Sequence, residues 1–164
     1  GYLPLGAIGI SSNYYAQILS AFGSGEGILG FTGTGHPASC AVALKNLEII
    51  ETEDLVENAR SMGIYLAEKL SKMQTRSQYI SGSRVLGLLA GLDVQASNDA
   101  DVECNALFCK RIVELLKHRR IFTRPFNTTI AIAPPLVVSK SEIDEICAAI
   151  EAAITEVGST FVHD

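Results

Sequence analysis

No apolar run in the 164-residue sequence reaches the roughly 18 residues that a membrane-spanning helix needs. Nor does a charged stretch followed by an apolar one read as a secretory leader. Cysteine is scarce, and no pair among Cys40, Cys104, Cys109 and Cys147 has the two-residue spacing of a zinc knuckle or a redox dithiol. Three of these fall on apolar helical faces, so free buried thiols in a reducing cytoplasm are expected. Positive charge is in deficit: 13 Lys and Arg against 18 Asp and Glu leave a net charge of −5, which works against broad binding to nucleic acid or anionic membrane. The sequence also lacks a Gly-x-Ser-x-Gly elbow, a metal-binding histidine pair and any internal repeat.

What is present is material for a core. Apolar residues make up 48% and charged ones 19%, enough for one packed domain, or a small domain plus part of another. The sequence begins without Met at "GYLPLGAIGI", where Leu3 to Ile10 read as a strand buried on both faces. A piece of a longer protein is therefore expected.

Asn13 to Phe22 reads as a short helix. Six glycines between Gly23 and Gly35 mark a loop. Pro37 suits a first helical turn, and Ala38, Ala41, Leu44, Leu47 and Ile50 continue at helical spacing. Thr52 before Glu53 and Asp54 reads as a new N-cap. Beyond it Leu55, Ala59, Met62, Leu66, Leu70 and Met73 trace an amphipathic stripe.

Tyr79 to Val94 turns β-like, and Val102 to His118 is a helix ending in the basic run Lys117, His118, Arg119, Arg120, expected to be solvated. Short strands are expected at Ile121–Arg124 and Thr129–Ala133, bridged by Pro125-Phe126-Asn127-Thr128. Ser139 and Glu142 supply a capping box for a last helix that turns Ile143, Ile146, Ile150, Ile154 and Val157 inward. The alternation implies helices covering one face of a small sheet.

Two places could carry chemistry. Gly35-His36-Pro37 leads straight into a helix, whose N-terminus offers unpaired amide hydrogens to an anion, and Thr32 and Thr34 add hydroxyls. The spacing is not that of a nucleotide-binding loop, so a plain helix entry is the other reading. His36 has no carboxylate or Cys partner in sequence and reads as a cap or packing residue. Arg124, next to a Pro-containing turn, could offer a planar grip to a carboxylate or form a surface ion pair.

"GYLPLGAIGI", "FTGTGHPASCAVALKNLEIIE", "RVLGLLAGLD" and "TRPFNTTIAIAPPLVVSKSEID" resemble, in the same order, segments of the class III aminotransferases, the pyridoxal-phosphate enzymes that act on ω-amino groups. The resemblance runs from Gly1 to about Val157. It implies an α/β architecture: residues 1–51 as the end of a fold-type-I large cofactor-binding domain, with its phosphate-contact loop and interdomain helix, and 52–164 as a C-terminal α+β small domain of helices on an antiparallel sheet.

It implies transfer of an amino group from an ω-amino acid or amine to a 2-oxo acid such as pyruvate or 2-oxoglutarate, in a cytoplasmic homodimer. Phe31 and Thr32 match the loop that contacts the pyridoxal 5'-phosphate group of the neighbouring subunit. Arg124 matches the arginine that binds the substrate carboxylate, although Asn127-Thr128 stand where the family often has Gly then Asp or Asn. The family's Schiff-base lysine, its pyridine-binding aspartate and its same-subunit phosphate loop would fall ahead of Gly1. These residues alone would then be inactive. A self-associating remnant, one chain of a split enzyme, or a related aminomutase are the alternatives.

Overall fold

The computed structural model describes residues 2–23 and 32–161. The chain divides into two compact units, Gly1–Glu53 and Asp54–Asp164.

In the first unit, helix α1 (Ser12–Phe22) starts at Ser11, whose side chain accepts from the Tyr14 amide at 3.3 Å, and stops at Gly23 with φ 74°. Helix α2 spans Pro37–Thr52, with Pro37 at its first position, where the absent amide hydrogen costs nothing. The strand expected over Leu3–Ile10 does not form: these residues have no regular structure and are exposed, Ile8 by 77%. A strand is held by the ladder of a neighbouring strand, and no described residue of this unit is in one. Ser39 is the one buried residue among those described here, so the apolar positions of α2, such as Leu44 and Leu47, stay exposed.

The second unit begins with helix α3 (Leu55–Arg76). Thr52 is not its cap. The Thr52 hydroxyl donates back to the Glu48 carbonyl at 2.8 Å, closing α2, a local bond that short hydroxyl side chains make readily. Asp54 instead takes the N-cap position at φ 51° without a side-chain bond. The stripe of α3 faces inward as its spacing predicts: Leu55, Met62, Leu66, Leu70 and Met73 are buried.

Strands β1 (Ile80–Leu86) and β2 (Leu89–Val94) form a hairpin across Gly87-Leu88, with Gly87 at φ 55°. Helix α4 (Val102–His118) is capped by Asp101, which accepts from the Cys104 amide at 2.7 Å. Strands β3 (Pro125–Phe126) and β4 (Thr129–Ile132) follow, then helix α5 (Lys140–Thr160), which opens with the expected Ser139–Glu142 capping box. The sheet runs β1-β2-β4-β3, antiparallel throughout.

Strand residues alternate in and out. Ala90, Leu92, Val94, Ile130 and Ile132 enter a core shared with α3, α4 and α5. At its centre Phe108 is fully buried, with Phe161 edge-on at a ring distance of 5.1 Å and Tyr79 at 5.7 Å.

The end of α4 controls how the chain reaches β3. Arg120 sits at φ 63°, its amide donates to Lys117 O at 3.0 Å, and the Ile121 amide donates to Leu116 O at 2.9 Å. That is a Schellman closure with arginine where glycine is usual. Arg119 is not simply solvated: its guanidinium donates to Ala149 O at 3.2 Å and pairs with Glu156 at 2.6 Å, tying this corner to α5.

The strand expected at Ile121–Arg124 is displaced to Pro125–Phe126. The Thr123 hydroxyl occupies the Ala131 carbonyl, the acceptor that a strand continuing backward through residue 124 would use. Proline is tolerated at Pro125 because it opens a strand at the sheet edge.

Candidate functional site

Thr32 to Gly35 form a turn closed by the His36 amide on Gly33 O at 3.2 Å, with Gly35 at φ 69°. His36 occupies the N-cap position of α2, but its side chain makes no capping bond. The amide hydrogens of Ala38 and Ser39 lie in the first turn, ahead of any intrahelical acceptor. An open cavity of about 840 Å³ lies against this turn, lined by residues 3–6 and 33–36 and by Ser39. Thr32 is exposed, one residue ahead of that lining. Phe31 lies outside the described residues.

The donor set suits an anionic group. Residues 32–40 carry three hydroxyls (Thr32, Thr34 and Ser39), one imidazole and no carboxylate, and the positive end of the helix dipole points toward them. A phosphate here would meet hydrogen-bond donors without a competing negative charge from these residues.

Arg124 belongs to the second unit. It is exposed, and among the described residues its guanidinium forms no hydrogen bond or ion pair. Its main chain is held: Arg124 O accepts from the Ala131 amide at 3.1 Å. The hairpin register pairs Pro125 with Ile130 and Phe126 with Thr129, and Asn127 takes φ 52° in the two-residue turn. Positive φ at the first loop residue matches the twist of paired strands, and asparagine tolerates it well.

Below this hairpin, on the sheet face opposite the core, Arg84, Asp93 and Thr129 are joined. Arg84 grips Asp93 through both terminal nitrogens, one contact at 3.0 Å, and the Thr129 hydroxyl donates to Asp93 Oδ1 at 2.5 Å. Partial burial would raise the Asp93 pKa, but the bonds from Arg84 and Thr129 outweigh it and hold the carboxyl below its ordinary range. Asn58 of α3 ties down the segment after β4, donating to Leu136 O at 2.6 Å and Val138 O at 3.1 Å.

The sequence reading missed Thr123, Asn58 and the Arg84–Asp93–Thr129 group. Asp93 and Thr129 are 36 residues apart, so only strand pairing brings them together. Thr123 had one weak signal, its position directly before Arg124. Among the described residues there is no cluster of three or more metal-ligating side chains, and no helix is long and apolar enough to cross a membrane.

Residues 1–154 match the sequence model of the aminotransferase class-III family. The adenosylmethionine-8-amino-7-oxononanoate aminotransferase of Methanocaldococcus jannaschii is 30% identical over 159 residues, covering 95% of this chain and 34% of that protein. A taurine–pyruvate aminotransferase of Bilophila wadsworthia is 35% identical over 134 residues, 77% of this chain and 29% of that one. The crystal structure of a transaminase from the marine bacterium Virgibacillus superposes with a TM-score of 0.81 at 30% identity, covering 91% of this chain and 35% of that chain. The ω-transaminase of Pseudomonas jessenii, solved in complex with PMP, gives a TM-score of 0.77 at 29% identity, covering 88% of this chain and 32% of that chain. The chain thus spans about a third of the length of these relatives, at 29–35% of each. Matched by the family's sequence model over nearly its whole length, this chain belongs to the class-III aminotransferases.

Proposed function

We propose that these residues form the C-terminal part of an enzyme that moves an amino group from an ω-amino acid or amine to a 2-oxo acid. Residues 1–51 end its large cofactor-binding domain, and 52–164 are its small domain. The working unit is a homodimer. The observation that carries the reading is Arg124: an exposed cation whose main chain is held next to a two-residue turn, with its guanidinium unengaged by any described residue. An arginine so placed grips a carboxylate with two parallel bonds.

The family is pyridoxal-phosphate-dependent, and the residues here suit one end of that cofactor. Thr32, with Phe31 beside it, would hold the phosphate of the partner protomer's cofactor, aided by the first turn of α2. When bound, the cofactor supplies the electron sink that lets an amino group leave one carbon skeleton for another. No residue of this sequence matches the family's cofactor-binding lysine. That group falls to a lysine outside these 164 residues, and these residues alone would not catalyse.

Substrate choice follows from Arg124. Relatives named for taurine–pyruvate and putrescine–pyruvate transfer indicate that this family's donors differ in whether they carry an acidic group. A donor with a carboxylate is favoured here.

The test uses the full-length protein with an aldehyde acceptor, so that only the donor differs. Arg124→Ala should cut the catalytic efficiency for a carboxylate-bearing ω-amino acid by about 10- to 100-fold, the worth of a lost charged hydrogen bond. Efficiency for a simple amine should change little. Equal losses for both donors would remove Arg124 from the substrate site.

A further inference from the structure

We infer that Thr123 is a positioning residue for Arg124, and through it sets how well the enzyme distinguishes carboxylate-bearing donors from simple amines. The inference rests on the proposed role of Arg124 and adds a residue to it.

Pro125 faces Ile130 and Phe126 faces Thr129, so the next couple outward is Arg124 with Ala131. A hydrogen-bonded couple in an antiparallel ladder exchanges two bonds, one in each direction. Here one is made between main chains, from the Ala131 amide to Arg124 O at 3.1 Å. At the other, the Ala131 carbonyl accepts from Thr123 Oγ1. A side-chain hydroxyl thus stands in for a ladder bond at the couple that holds Arg124.

Ala131 is a firm anchor for this clamp. It lies between Ile130, fully buried, and Ile132, 5% exposed, both in the core. On the other side there is little to hold the strap. Between the helix closure at Ile121 and the start of β3 at Pro125, Phe122 is 84% exposed and outside the core. Thr123 is the half-buried member of this stretch. Loss of its hydroxyl leaves the Thr123–Arg124 segment joined to Ala131 by one bond instead of two.

A long flexible side chain is aimed by the main-chain atoms at its root, and a shift well under 1 Å there displaces the guanidinium from a two-pronged carboxylate geometry. Losses from such misplacement fall on the substrate that uses the grip and spare the one that does not. Valine keeps the shape of threonine and removes the hydroxyl, whereas serine keeps the hydroxyl and removes the methyl.

The experiment uses the full-length, cofactor-loaded enzyme with an aldehyde acceptor. Thr123→Val should raise KM for a carboxylate-bearing ω-amino acid by about tenfold, with kcat changed much less and KM for a simple amine unchanged. Thr123→Ala, which cannot crowd the Ala131 carbonyl, should do the same. Thr123→Ser should restore the wild-type ratio. Wild-type behaviour of both hydroxyl-free variants, equal losses for the two donors, or failure of serine to rescue would each overturn the inference. Arg124→Ala, run in parallel, separates the two claims. If it discriminates between the donors and Thr123→Val does not, only the positioning role falls; if it does not discriminate, the carboxylate reading of Arg124 falls with it.

Discussion

A β-carbon on Gly63 would stand 2.3 Å from the carbonyl oxygen of Gly87, so helix α3 and the β1–β2 turn meet at a distance that glycine alone permits. The obstacle is main chain, in a turn already at φ 55°, and it cannot swing aside as a side-chain tip would. Gly63→Ala should destabilise the protein by about 1–3 kcal/mol through overpacking. A urea titration reads this as a lower midpoint with an unchanged slope. An unchanged midpoint would mean that helix and turn separate without cost.

The capping box of α5 carries a pH signature. The Ser139 amide donates to Glu142 at 2.7 Å, and the Ser139 hydroxyl adds a second bond. These hold the Glu142 carboxyl below its ordinary range, the amide contributing most. A depressed folded-state pKa stabilises fully above the unfolded value and is lost as pH falls through the folded one. Glu142→Gln should therefore lower the denaturation midpoint at pH 7, and the gap from wild type should narrow at an acid pH below the ordinary glutamate value. A gap of equal size at both pH values would assign the effect to shape and not to charge.

These two features show what local pattern could and could not reveal. The capping box, the helix Val102–His118 and the α3 stripe were legible because each depends on residues within a few turns of one another. Leu3–Ile10 forms no strand despite its composition, because apolar composition describes a strand's environment and not its partner. Thr52 failed as a cap because a threonine hydroxyl can bond backward into the helix it ends as easily as forward. At the candidate site, Arg124 was visible from its neighbour Pro125 and from the family likeness. The Thr123 clamp and the Arg84–Asp93–Thr129 group were not, since both exist only once β4 is in register.

The buried thiols should be inert in the folded state. Burial, with a smaller contribution from the Asp93 charge, pushes Cys109 up to about 12, and burial pushes Cys147 up to about 11. The thiolate is the reactive form, and at pH 8 almost none exists at either position. Iodoacetamide should leave Cys109 and Cys147 unmodified in native protein and alkylate both in denaturant, as read by peptide mass spectrometry. Modification of Cys109 under native conditions at a rate near that of a free thiol would show that α4 opens readily.

Thr32 and Arg124 permit a test of how two protomers would share a site. If Thr32 holds the cofactor phosphate, Thr32→Ala in the full-length protein should weaken cofactor affinity by about 10- to 100-fold, the worth of a charged hydrogen bond, and Thr32→Ser should retain it. Unchanged affinity would leave Thr32 as part of the helix-entry turn alone. Mixed dimers decide which protomer is served. Suppose Arg124 acts in its own protomer's site and Thr32 in its partner's. A dimer of one Thr32→Ala chain and one Arg124→Ala chain then has one site with both lesions and one with neither, and co-expression should regain sites with wild-type affinity and efficiency. If Thr32 served its own protomer, each site would carry one lesion, and no wild-type class would reappear in a titration of the mixture.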